Sequence, residues 1–525
     1  MTTNRQPSPS RRVLAVILFT VCFGGVRAQE LDSSRVLFDD AVLHTFRITF
    51  SVPGWQDSLT ANYLAGEVYM PARVEYDGLA FDSVGVRYKG NSSYVQSRHT
   101  PKKPLKLKFD EYRSKQTFFG VKTLNFSNAV KDPTFLREKL AYDILGRLMP
   151  SPRAAYAWIE VNGEPLGLYL MVEQIDKTFL KRHFADNGFN LYKAGDNGAT
   201  LEYRGRDKEA YKREFELKTN EKEDDWTRFI DMVEVLNDAP RDSFVSRAGA
   251  TLDLDRCIRL LAFNMAVSNF DSYTGSGRNY YLYDDRVAGK FVILPWDPNE
   301  AFGAYSNEWD VIRQDVLTPS NLSRRPLLRR IVENDSLRTA YLAVIRNLVD
   351  GPASGDTIAA AVARWKPFLD PLVRSDPHKL YPYDLFLENF ERDVYVGINM
   401  RIPALIPFVR LRGDNVRSQV DAYSAAGADY SAVQPFVSVD GYPNPSRGGA
   451  SVRFVLRRGG RVGLSVYDLL GREVRRLDAG DRLAGAHEIP NAFDGLPSGV
   501  YHCRLAFTDA LGSYRSGTYR LALTR

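Results

Sequence analysis

Leu105-Lys106-Leu107-Lys108-Phe109 alternates apolar and charged residues with a period of two. So, broadly, do Val84-Gly85-Val86-Arg87-Tyr88 and Phe46-Arg47-Ile48-Thr49-Phe50 upstream. That period sends successive side chains to opposite faces, so each stretch predicts a half-buried strand. Gly90-Asn91-Ser92-Ser93 predicts a polar turn between two of them. Residues 35–130 therefore read mainly as strands. Beyond them the period lengthens. Asp132-Pro133 opens a predicted helix with an apolar face of Leu136, Leu140, Ile144 and Leu148. Residues 157–161 and 167–172 flank Asn162-Gly163, a pair suited to the positive φ angles of a hairpin turn. Residues 176–184, 224–237 and 252–269 have helical spacing. A second hairpin is predicted from residues 279–283 and 291–294, and residues 320–420 read as largely helical. Strands first and helices later indicate an α+β domain over 35–420 rather than alternating βαβ units.

The two ends differ from this middle. Arg5, Arg11 and Arg12 precede a short apolar run over 13–25, and Val26-Arg27-Ala28 offers small residues at a cleavage site. This is the pattern of a secretory signal over 1–28, too short for a comfortable membrane span. Ala425-Ala426-Gly427-Ala428 and Gln434-Pro435 mark a linker over 421–435. Short predicted strands at 450–456, 462–467, 500–507 and 518–523 then indicate a small β-sandwich over 436–525. At 525 residues and 44% apolar composition the chain has ample material for several folded units. Its 70 basic and 64 acidic residues are intermixed, with a net charge of +6 and no basic stripe, so no nucleic-acid partner is expected. Three cysteines and six histidines show no zinc-ligand spacing.

Several segments of the middle region stand in a telling order. They begin with Gly85-Val86-Arg87-Tyr88-Lys89-Gly90-Asn91-Ser92-Ser93, Lys102-Lys103-Pro104-Leu105-Lys106-Leu107-Lys108-Phe109 and Leu136-Arg137-Glu138-Lys139-Leu140. They continue with Gly167-Leu168-Tyr169-Leu170-Met171-Val172-Glu173-Gln174-Ile175-Asp176 and Asn190-Leu191-Tyr192-Lys193. They end with Asn269-Phe270-Asp271 through Arg278-Asn279-Tyr280-Tyr281, and Leu294-Pro295-Trp296-Asp297 through Phe302-Gly303. Over residues 80–305 the chain resembles the CotH kinase family. The resemblance implies an atypical protein-kinase-like domain that transfers the γ-phosphoryl group of ATP, with Mg²⁺ or Mn²⁺, to protein Ser or Thr. Phosphoryl transfer needs a cationic phosphate cradle, carboxylates for the metal and a carboxylate near the attacking hydroxyl. Asn91, Ser92 and Ser93 can present backbone N–H groups and hydroxyls to phosphate. Lys106, or Lys108 on the same strand face, can pair with the phosphates, and Lys106 is the first choice. A solvent-facing basic edge is the plain alternative.

The resemblance matches Asp271 to the residue that orients or deprotonates the acceptor hydroxyl, Asn279 to a metal-holding residue, and Asp297 to the aspartate that binds the bridging metal. Oxygen ligands of this kind suit Mg²⁺ or Mn²⁺. Each Asp could instead serve only its own turn. Glu173, Gln174 or Ile175 would lie near the base, and Glu138 would pair with the phosphate-binding lysine. No G-x-G-x-x-G, H-R-D or D-F-G occurs, so the ordinary kinase signatures are missing, and Arg278 stands where many members carry His. The alternative is a catalytically silent surface or coat protein acting as a binding scaffold. A hydrolase has less support, because no G-x-S-x-G or metalloprotease helix is present.

The last segment carries Tyr442-Pro443-Asn444-Pro445, Val466-Tyr467-Asp468-Leu469-Leu470-Gly471-Arg472-Glu473-Val474 and Leu496-Pro497-Ser498-Gly499-Val500-Tyr501. It is similar to the type A C-terminal sorting domain of the type IX secretion system. That resemblance implies export through the periplasm, secretion machinery as a partner, and a secreted or cell-surface location. An immunoglobulin-like spacer is the plain alternative.

Overall fold

The computed structural model describes residues 32–306, 310–319, 321–397, 400–425, 436–447, 450–456, 459–483, 485–508 and 514–524. The signal reading of 1–28 and most of the predicted linker, 426–435, lie outside the described residues. Among the described residues, no helix is long and apolar enough to cross a membrane.

Seven strands close into a barrel: β1 (His44–Thr49), β2 (Met70–Tyr76), β3 (Leu79–Tyr88), β4 (Leu105–Lys108), β5 (Thr123–Ser127), β6 (Ala154–Val161) and β7 (Glu164–Glu173). Their order is β1-β2-β3-β4-β5-β7-β6. Neighbours run antiparallel except at the closure, where β1 lies parallel to β6 with Phe46 opposite Ile159. The period-two pattern is realised directly. Phe46, Val84, Val86, Leu105 and Leu107 are buried in the barrel core, and Phe109 stacks on Phe118 with centroids 4.8 Å apart. β4 is paired on both sides, with β3 and β5. Its lysines therefore do not mark a free edge.

The predicted helix at Asp132-Pro133 begins later, at Arg137, and runs to Leu148. Ala129, Lys131 and Phe135 all take positive φ, near 60°, so the preceding loop cannot continue a right-handed helix. The Asp132 carboxylate holds that loop by accepting from the Arg137 backbone N–H and from Arg137 Nη1, each at 2.7 Å. The polar stretch at Gly90–Ser93 likewise passes into a short helix, Ser92–Gln96.

After β7 the chain enters a second core. A four-stranded sheet of β8 (Leu191–Ala194), β9 (Phe215–Leu217), β10 (Tyr280–Asp285) and β11 (Lys290–Pro295) has the order β11-β10-β8-β9. The helices Thr227–Asp238, Leu254–Ala266, Asp335–Asp350 and Leu405–Ala425 share its apolar cluster through Phe229, Leu261, Ile345 and Phe408. The last of these helices runs through residues 421–425, which the sequence assigned to the linker.

Beyond residue 436, two sheets share one apolar cluster that includes Val452, Val466, Leu505 and Leu521. One has three strands and the other five. The strands Phe436–Tyr442, Glu473–Arg482 and Gly485–Ile489 were not foreseen. Among the described residues, Glu473–Arg482 pairs only with Gly460–Tyr467 at the sheet edge, and it exposes charge on both faces, so no alternation announced it. The C-terminal motifs act locally. Asn444 bridges to the final strand, donating to Arg520 O at 2.8 Å and accepting from Ala522 N at 3.0 Å. The Asp468 carboxylate accepts from the N–H groups of Leu470 and Arg472 at 2.9 and 3.0 Å.

Candidate active site

A polar cleft of about 510 Å³ separates the barrel from the second sheet. Its size suits a small-molecule ligand. The barrel contributes the end of β3 and the following turn, with Arg87, Lys89, Asn91, Ser92 and Ser93, and Lys106 from β4. The facing side contributes Lys193, Asp196, Asp271, Asn279 and Asp297. Asn91 Nδ2 spans the opening to Asp196 Oδ2 at 3.3 Å.

The β10–β11 hairpin brings Asn279 and Asp297 together. Tyr280 pairs with Pro295, and Trp296 N donates to Asn279 O at 3.1 Å, so the two residues flank the hairpin's open end. Both adopt left-handed backbone, with φ of 60° and 48°. Asn and Asp tolerate this conformation better than most residues, and such geometry gathers at functional sites. The Asn279 amide reaches back to Asp271, donating to its backbone O at 2.7 Å and to Oδ2 at 3.0 Å. Asp271 Oδ1 is buried with no hydrogen-bond partner. Asp297 N donates to Tyr142 Oη at 3.0 Å, which ties the aspartate to the helix Arg137–Leu148.

Charge in the cleft is incompletely paired. Arg87 is held by Glu67, and Lys218 by Glu216 at 2.5 Å. Lys89, Lys106 and Lys193 have no carboxylate within ion-pair distance among the described residues. Burial, and after it Arg87, Lys89, Lys218 and Lys193, hold the Lys106 amine well below the ordinary lysine range. Burial also lowers Lys89, against the pull of Asp297 and Glu138. Burial raises the Asp297 carboxyl; Lys89 opposes this and Asp271 adds to it. Glu138 is pushed up to about 8 by burial and by Asp297, with Lys89 opposing.

Of the residues expected from sequence, Asn91, Ser92, Ser93, Lys106, Asp271, Asn279 and Asp297 line this one cleft. Three expectations need correction. Lys108 lies outside the cleft lining, in an ion pair with Glu111 at 2.7 Å and near the Tyr69 ring. It shares a strand face with Lys106, but two residues further along the barrel it meets another partner. Glu173 is likewise absent from the lining, because Arg153 and Arg182 bind its carboxylate outside the cleft. The neighbouring Gln174 takes its place there, with Asn125 Nδ2 donating to its Oε1 at 3.2 Å. Glu138 interacts with Lys89 rather than with Lys106. Sequence reasoning gave Lys89 and Lys193 no role. Both were visible as a lysine at or just beyond the end of an apolar strand.

Among the described residues, no three His, Cys, Asp or Glu side chains are grouped so as to hold a metal unaided. The donor set nevertheless fits Mg²⁺ or Mn²⁺ bound together with a polyphosphate, since Mg²⁺ commonly takes one or two carboxylates and fills its shell with phosphate and water. The Asp297 carboxylate and the Asn279 amide oxygen supply such donors, beside the buried, unpartnered Asp271 Oδ1.

The family model for the CotH kinase protein matches residues 86–416. Inner spore coat protein H of Bacillus subtilis (strain 168) is 27% identical over 316 residues, covering 59% of this chain and 82% of that protein. The inner spore coat protein H-like protein of the same organism is 21% identical over 272 residues, covering 50% and 76%. Among solved structures, CopC from Methylosinus trichosporium OB3b is 16% identical, covering 17% of this chain and 92% of that one, with a TM-score of 0.15. PorZ of the Porphyromonas gingivalis type IX secretion system is 26% identical, covering 17% and 12%, with a TM-score of 0.12. Neither structural likeness carries an argument about this fold.

Proposed function

From the premise that this chain belongs to the CotH kinase protein family, we propose that it is an exported atypical protein kinase that transfers the γ-phosphoryl group of ATP to protein Ser or Thr. One observation carries the reading. Lys106, the Asn91–Ser93 turn, Asp271, Asn279 and Asp297, far apart in sequence, line one cleft. Lys106 and Lys89 would hold the phosphates, because cations without carboxylate partners are what a polyphosphate requires. Asp297 and Asn279 would hold Mg²⁺ or Mn²⁺, which when bound neutralises charge on the phosphate oxygens. Asp271, fixed by Asn279, would orient the acceptor hydroxyl and take its proton. The acceptor oxygen then bonds to the γ-phosphorus as the bond to the β–γ bridging oxygen breaks, and ADP leaves.

Export rests on the N-terminal signal pattern. Handover to a type IX secretion machinery, giving a secreted or surface location, rests on the C-terminal motifs. The bonds of Asn444 and Asp468 explain those motifs as strand-end devices, which suits either a sorting domain or a spacer. The other reading is a silent coat or surface scaffold; the two relatives carry spore coat names.

Transfer of ³²P from labelled ATP decides between the two. With Mg²⁺ or Mn²⁺ present, the purified chain should label itself or an added acceptor, and Asp297→Ala and Asp271→Ala should each abolish labelling. No transfer and no metal-dependent nucleotide binding would leave the scaffold.

A further inference from the structure

The turn that carries Asp271 is anchored from outside. Gly275 sits so tightly over Phe270 that a Cβ there would meet Phe270 O at 1.9 Å, and Ser276 N donates to that same carbonyl at 2.8 Å. The Gly275 carbonyl at the bend receives two donors from the segment after the cleft: Asn321 Nδ2 at 2.7 Å and Arg325 Nη2. Tyr273 adds a third tie. Its hydroxyl accepts from Leu327 N at 3.0 Å and donates to Thr200 O at 3.1 Å.

Arg325 is an expensive residue to keep there. It is only 5% exposed, no carboxylate lies within ion-pair distance among the described residues, and its Nε has no hydrogen-bond partner. Its remaining contacts are Arg324 O at 2.8 Å and the Tyr273 ring at 6.0 Å. A buried, unpaired guanidinium costs stability, so packing alone does not account for it.

We propose that Arg325, assisted by Asn321, is a positioning residue that fixes the Asp271–Asn279 turn by clamping the Gly275 carbonyl, and so sets where the Asp271 carboxylate meets the acceptor hydroxyl. This rests on the kinase reading above and gives the segment after residue 320 a part in it. Neither residue lines the cleft. The phosphate-side lysines Lys89 and Lys106 come from the barrel and not from this turn, so the clamp acts on turnover and leaves metal-free nucleotide binding alone.

The test compares the full chain with Arg325→Met, Arg325→Lys and Asn321→Ala, by steady-state transfer, metal-free nucleotide affinity, thermal melting and hydrogen exchange over residues 270–279. Arg325→Met should lower kcat by ~100-fold, the scale expected when a reacting group is displaced by about 1 Å, and leave the Kd for metal-free nucleotide within ~2-fold. Arg325→Lys keeps the charge but loses the fork, and should fall between. Asn321→Ala should lower kcat less, and it carries the test if Arg325→Met does not fold. Exchange at Gly275, Ser276 and Gly277 should quicken in each folded variant, whether or not transfer is detectable. Unchanged kcat, or losses of kcat, nucleotide affinity and melting temperature in step, would overturn the clamp and spare the kinase. Absence of transfer in the unsubstituted chain would instead sink the kinase reading, and unchanged exchange would sink the clamp by itself.

Discussion

Binding of metal-free ATP should draw a proton onto Lys106. In the free protein, burial and four neighbouring cations, Arg87, Lys89, Lys218 and Lys193, favour its neutral amine. A phosphate oxygen about 4 Å away attracts an ammonium by roughly 4 kcal/mol at an effective dielectric constant near 20. At 1.36 kcal/mol per tenfold change, that favours the protonated amine in the complex about a thousandfold. The sign follows: complexation raises the amine's pKa, protons are taken up, and affinity falls as pH rises above the free amine's titration. Calorimetry in two buffers of different ionisation enthalpy reads the uptake directly. It should approach one proton per nucleotide at pH values between the amine's titration in the free protein and its titration in the complex, and vanish in Lys106→Met, with affinity lowered ~10–100-fold, the loss of one charge-assisted contact. Identical enthalpies in both buffers, or uptake that survives Lys106→Met, would refute the placement of phosphate at this amine.

Asp376→Ala should cost ~3–5 kcal/mol, the usual result of leaving a buried charge unpaired. Asp376 and Lys102 pair with no side-chain exposure, and Asp376 also accepts from Leu168 N and His378 N. The deficit should shrink at high pH, because removing Asp376 depresses the already lowered Lys102 amine further, so the variant gains more stability than the parent as pH rises. An unaltered urea midpoint would refute it. Glu138→Gln should leave stability near pH 5 unchanged and gain ~1–4 kcal/mol by pH 9. A carboxyl raised to about 8 loses its contribution progressively as pH climbs from the ordinary carboxylate range up through that value, and an amide does not. Parallel pH–stability curves for the two proteins would count against a buried, protonated Glu138.

Much of the barrel was legible because its strands bury one face. Phe46, Val84, Val86, Leu105 and Leu107 recur every second residue because alternate side chains enter the core. The β10–β11 hairpin was legible instead as two short apolar runs, and the fold buries both faces of each strand. The sequence by itself therefore determined the alternating barrel strands, the main helices and the turns that carry Asp271 and Asp297, but not the strands Phe436–Tyr442, Glu473–Arg482 and Gly485–Ile489. Chain closure could not be read, because whether β1 pairs with β6 depends on residues more than a hundred positions apart. Only the tertiary structure separated Lys106 from Lys108, two lysines of one strand face, by setting Arg87, Lys89 and Lys193 around one and Glu111 beside the other. It likewise turned Glu173 outward to Arg153 and Arg182, and buried Arg325 against Gly275. Local periodicity reports which face of an element is apolar; which charge lies across a cleft is decided by packing between elements, and that information is not local.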